Sequence, residues 1–89
     1  MTITRSHART DAYLCLCELQ SNLRTLARRN RHHQNRPFKT TQYRETVCEF
    51  GELLVQVRED GLETRLIAQA TSGLPSEVRT DLANMGIAV

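Results

Sequence analysis

The chain has 89 residues and a mass of 10.2 kDa, the size of one domain. Hydrophobic residues make up 39% and charged residues 25%, ordinary globular usage that argues against disorder of the whole chain. The formal net charge of +2 conceals a split, because residues 1–44 carry +7 and residues 45–89 carry −5.

Residues 1–7 read as a tail, with no apolar run or cleavage site of a secretory signal. The first element follows. Ala12, Leu16, Leu19, Leu23 and Leu26 recur at steps of 4, 3, 4 and 3, a seam down one helix face. Tyr13, Cys15 and Ala27 widen it. Ser6, or Thr10 with Asp11, is a candidate N-terminal cap. Arg28, Arg29 and Arg31 suit the negative end of the dipole. These signals together predict a helix over about residues 8–30. Residues 30–37 then read as a polar loop closed by Pro37, since the residue before proline avoids helical geometry.

Two patterns compete between Thr40 and Thr71. Tyr43, Val47, Phe50, Leu54 and Val57 again follow helical 4, 3, 4, 3 spacing. In that reading, Asp60 and Glu63 form a capping box for a further helix ending at Gly73. The other pattern is a hairpin turning at Asp60-Gly61, a dipeptide suited to the positive φ of a type I′ turn. It places Leu53, Val55, Val57, Leu62, Leu66 and Ala68 on one face and sets Arg58 opposite Glu63. It also avoids a glycine, Gly51, inside a helix, at a cost of about 1 kcal/mol. The hairpin is the favoured expectation, with Thr40–Cys48 as a third, edge strand. A last helix starts at Ser76 as N-cap, buries Val78, Leu82 and Met85, and stops at Gly86 with Ile87 just beyond.

The expected fold is therefore α+β: a small two-layer α-β-β-β-α domain over residues 1–89 with an antiparallel three-stranded meander. An all-α bundle of three or four helices is the alternative. The α-β-β-β-α order also occurs in double-stranded-RNA-binding domains. No resemblance is drawn, because the last helix here offers Glu77 and Asp81 where those domains carry a basic cluster.

Few residues suggest chemistry. Cys15, Cys17 and Cys48 are too few and too badly spaced for a disulfide framework, and they read as small semi-buried hydrophobes. His32-His33 lacks the paired spacing of a zinc site, and His7 reads as a helix-start residue. There is no phosphate loop, dinucleotide fingerprint or nucleophile elbow. Four aromatic residues leave little volume for a substrate pocket. Neither an enzyme nor a cofactor is expected. No apolar run approaches the ~18–20 residues of a membrane span, so a cytoplasmic protein without membrane contact is expected.

The basic cluster carries most information. No acid lies between Glu18 and Glu45, where Arg24, Arg28, Arg29, Arg31, Arg36 and Lys39 fall. Arg24, Arg28 and Arg31 are spaced 4 and 3, off the leucine seam, and so share an exposed face. Guanidinium forks grip carboxylates or phosphates, and Phe38 and Tyr43 nearby suit stacking on bases. These six residues are the expected partner-binding set. The acids of the second half make a counter-surface. A partner of both signs suits a protein better than bare nucleic acid, which a −5 half repels. The expected function is a small interaction module that binds a larger protein or ribonucleoprotein complex. Inhibitors from phages and mobile elements, anti-CRISPR proteins among them, share this size and format. Direct RNA or DNA binding is the alternative. Self-association into a homodimer is a further expectation of opposite-signed halves.

Overall fold

The computed structural model describes the backbone of residues 5–32 and 41–89 and the side chains of residues 11–29 and 41–89. Within these, the chain forms four helices: α1 (Arg5–His32), α2 (Thr41–Glu59), α3 (Thr64–Ser72) and α4 (Ser76–Asn84). Residues 5–7 of the expected tail over 1–7 and residues 30–32 of the expected loop over 30–37 are instead part of α1, and the remainder of each, residues 1–4 and 33–37, lies outside the described residues.

The leucine seam organises α1. Leu16, Leu23, Leu26 and Ala27 are buried, and Ala12, Tyr13 and Leu19 pack against that core. Cys15 does not widen the stripe, since it is exposed. The helix begins upstream of the candidate caps, so Thr10 and Asp11 sit inside it. α2 runs antiparallel to α1. Leu19 shares a recess with Leu53, Asn22 with Glu49, and Arg29 with Gln42.

The expected meander is overturned. Residues 41–59, which hold most of the proposed edge strand and the first hairpin strand, are one helix, and Thr40 lies outside the described residues. Tyr43, Val47, Phe50, Leu54 and Val57 are all buried, so the 4, 3, 4, 3 spacing was the governing signal. Val55, placed on the inner hairpin face, is 41% exposed. The physical reason lies at Gly61. Its φ of 83° is the left-handed conformation that a type I′ turn needs, but a helix C-terminus needs it too. Here Leu62 N–H donates to Val57 O at 2.9 Å and Gly61 N–H to Arg58 O at 3.2 Å. That pair of bonds is a Schellman motif, with buried Leu62 closing over buried Val57. Arg58 and Glu63 are not cross-strand partners. Glu63 instead meets Arg65 at 2.9 Å in an exposed pair that contributes little.

Gly51 counted against a helix, yet it sits buried in the middle of α2. A β-carbon there would stand 2.7 Å from Ile87 Cδ1 and 3.2 Å from Leu82 Cδ2. The helix accepts a poor helix former because the end of α4 packs at that point.

α3 and α4 cover the inner side of the α1–α2 pair. The capping box of Asp60 and Glu63 is absent: Glu63 caps α3 with its backbone and makes no side-chain cap. Gln20 Nε2 donates to Ala70 O at 2.6 Å, and Tyr13 Oη donates to Gln69 Oε1 at 3.0 Å, tying α3 to α1. Arg79 reaches back from α4 and donates through Nη2 to Thr71 O at 2.8 Å and through Nε to Leu74 O at 3.3 Å. It thereby bridges two carbonyls of the α3–α4 junction, of which Thr71 O also accepts the Leu74 N–H at 3.2 Å. α4 starts at Ser76 as expected, but Pro75, not Ser76, is its N-cap. Val78 and Leu82 are buried, whereas Met85 lies past the last turn and is 44% exposed. Gly86, at φ 81°, ends α4 with a second Schellman motif, in which Ile87 N–H donates to Leu82 O at 2.9 Å.

Candidate interaction surface

The packing of α1 decides where its arginines point. Leu26 is buried against α2. Arg24 and Arg28 lie two residues to either side of it, each about 200° round the helix. Both are exposed, on the side of α1 away from α2. Arg29 is exposed too, but it turns into the α1–α2 groove with Thr25, Gln42 and Thr46. The described arginines therefore splay around the end of α1 and do not form one flat face. Arg31 continues the Arg24–Arg28 spacing on the α1 backbone, but its side chain lies outside the described residues. So do Arg36, Lys39, His33 and Phe38, and the side chains of His7 and His32.

Antiparallel pairing adds a residue that lies outside the set read from the sequence. Arg44, in the first turn of α2, is exposed at the same end of the bundle as Arg28. Only the pairing of the helices brings it there.

The acids are sorted by the helix, not by a sheet. Glu45, Glu49, Glu52 and Glu59 are all exposed on α2. With Gln56 filling the gap, they repeat at 4, 3, 4 and 3, opposite the buried stripe of the same helix. This spacing was the signal available in the sequence, and the strand reading hid it. Between this strip and α1 runs an open recess of about 640 Å³. Its lining includes Leu19 and Leu53, which are half-buried, and Glu18, Glu49 and Glu52, which are exposed. A smaller recess of about 220 Å³ continues the groove towards Arg29.

Tyr43, named as a stacking candidate, is buried and unavailable to a base. Its hydroxyl donates to Asp81 Oδ2 at 2.7 Å and joins the start of α2 to α4. Burial, reinforced by that hydrogen bond and by the negative charges of Asp81 and Glu77, pushes its pKa far above the tyrosine range. Cys15 and Cys48 are exposed and Cys17 is half-buried, so only Cys17 fits the semi-buried expectation; all three are free. Among the described residues no three His, Cys, Asp or Glu side chains converge to hold a metal ion. No described helix is long and apolar enough to cross a membrane. No protein-family model, curated protein or solved structure matches this chain.

Proposed function

We propose that the chain is a small non-enzymatic interaction module that binds a larger protein or ribonucleoprotein complex through its charged faces. The observation that carries this reading is the sorting of charge on two packed helices. Arg24 and Arg28 project from one side of α1, and Glu45, Glu49, Glu52 and Glu59 project from the outer face of α2. The leucine seam and the α2 stripe hold the two helices in register, so both signs are presented in a fixed relation. A protein surface can match such a pattern and gain specificity from it. A polyphosphate would gain from the arginines and lose to the carboxylates. The size and plainness of the chain fit the format of inhibitors encoded by phages and mobile elements, acting in the cytoplasm, anti-CRISPR proteins among them.

The test is a pair of charge-reversed variants, Arg24→Glu/Arg28→Glu and Glu49→Lys/Glu52→Lys. Each is used to retrieve stoichiometric partners from a plausible host and is titrated with labelled RNA and DNA. The reading expects a protein partner that is lost with at least one reversal. Nucleic-acid binding at about 50 mM salt that falls steeply with added salt and vanishes in Arg24→Glu/Arg28→Glu would replace it with direct RNA or DNA binding.

A further inference from the structure

The groove on the outer side of the α1–α2 pair differs from the rest of the surface. Its floor is apolar: Leu19 and Leu53 are half-buried and packed against the core. Its rim is acidic from both helices, with Glu18 on α1 and Glu49 and Glu52 on α2. Among the described residues no ion pair involves these three carboxylates. The recess of about 640 Å³ is open to solvent, and its lining runs over successive turns of both helices, Cys15 to Asn22 on α1 and Glu49 to Leu53 on α2. Its acidic wall continues along α2 through Glu45 and Glu59.

We infer that this groove docks a cationic amphipathic helix of a partner protein. The inference rests on the interaction-module reading and narrows it to one surface and one partner chemistry. A helix lying in the groove sets an apolar side chain between Leu19 and Leu53. Its basic residues one turn to either side then reach Glu18 across α1 and Glu49 or Glu52 across α2. An apolar stripe flanked by lysine or arginine is the complement of an apolar floor flanked by carboxylates. The rim charges set orientation and on-rate, and the floor supplies buried apolar area. A nucleic acid is repelled by the same rim. A second copy of this chain presents Arg24 and Arg28 on α1, but two residues from buried Leu26 and away from any exposed leucine stripe.

The probe is a fluorescent synthetic helix of alternating leucine and lysine turns, followed by anisotropy at low salt. A control peptide keeps every lysine and replaces each leucine with glutamine. The wild-type chain is expected to bind the first peptide at least about tenfold more tightly than the control. Glu49→Gln/Glu52→Gln is expected to weaken binding at least about tenfold. Glu63→Gln, which changes an exposed acid outside both the recess and the α2 strip, is expected to leave it unchanged. Circular dichroism of each variant checks that the fold is intact. Equal binding of both peptides, equal loss in both variants, or no binding overturns the inference. So does concentration-dependent self-association that is abolished by Arg24→Gln/Arg28→Gln, which would make a second copy the occupant. The partner retrieval described above also reads the Arg24–Arg28 face. Failure here with a partner still lost in Arg24→Glu/Arg28→Glu therefore removes the groove and leaves the broader reading standing.

Discussion

A β-carbon placed on Gly51 would stand 2.7 Å from Cδ1 of Ile87, inside the normal packing distance of two carbons. A residue in the middle of α2 is thus matched to one just past the end of α4. Alanine gains about 1 kcal/mol of helix propensity over glycine, but at this site it must displace Ile87 and press on Leu82. Gly51→Ala is expected to lower stability by about 1 kcal/mol in the native background. In an Ile87→Ala background the same change is expected to raise it. Urea unfolding of the four members of this cycle checks the claim. An effect of the same sign in both backgrounds removes the contact as the reason for the glycine.

Gly61 tests the helix end. Its φ of 83° is strained for any L residue and most for a β-branched one. Gly61→Val is expected to cost about 2 kcal/mol or more, and Gly61→Asn clearly less. The far-UV circular dichroism of the native chain is expected to be that of a helical protein. A spectrum with a substantial strand component would contradict the fold.

Tyr43 gives the stability a pH dependence. Its folded pKa is raised above the ordinary value of about 10 by burial, then by the hydrogen bond to Asp81. As pH climbs past 10, the unfolded tyrosine loses its proton while the folded one keeps it. The folded state then binds more protons, and stability falls as pH rises. Below pH 10 the contribution is fully present. The slope approaches about 1.4 kcal/mol per pH unit at most. Tyr43→Phe is expected to cost about 1–2 kcal/mol at neutral pH and to flatten this alkaline decline. Unfolding midpoints at pH 8 and about pH 11 compare the two. Parallel declines would assign the alkaline loss to other groups.

Arg79 holds one carbonyl in the last turn of α3, at Thr71, and one in the link to α4, at Leu74. Arg79→Ala is expected to cost about 1.5–3 kcal/mol, because these bonds come from a charged donor. Arg79→Lys should recover only part, since an ammonium cannot span both acceptors as a planar fork does. Thermal melts of the three proteins check the order. A lysine variant as stable as the native chain would show that charge alone suffices.

Much of this was legible in the sequence, and the failures have specific causes. α1 was readable because its leucine spacing, polar faces and terminal charges agreed. The exposure of Arg24 and Arg28 followed from the same spacing. The start of α4 and its stop at Gly86 were readable for similar reasons. The α2–α3 region was misread because Asp60-Gly61 satisfies two local geometries with one backbone conformation. Gly51 then weighed against a helix, although its cause lies in α4, more than thirty residues away. Val55 and Val57 suit strands by propensity, but tertiary packing of the Tyr43–Val57 stripe decides. The end shared by Arg44 and Arg28, and the groove between Leu19 and Leu53, depend on how α1 and α2 pair. No local pattern encodes that pairing.

α4 is fastened to α2 at two points, by Asp81 under Tyr43 and by Ile87 over Gly51. Two fastenings along one helix prevent sliding and turning, so α4 leaves α2 only by releasing both. In hydrogen exchange, the amides from Val78 to Ile87 should then open as one cooperative unit, together with the first half of α2. The second half of α2, with its Schellman end and the α3 contacts to α1, need not follow. The unit that opens carries Glu45 and Glu49 with it, so one end of the acidic rim moves with α4 while Glu18 and Glu52 keep their places.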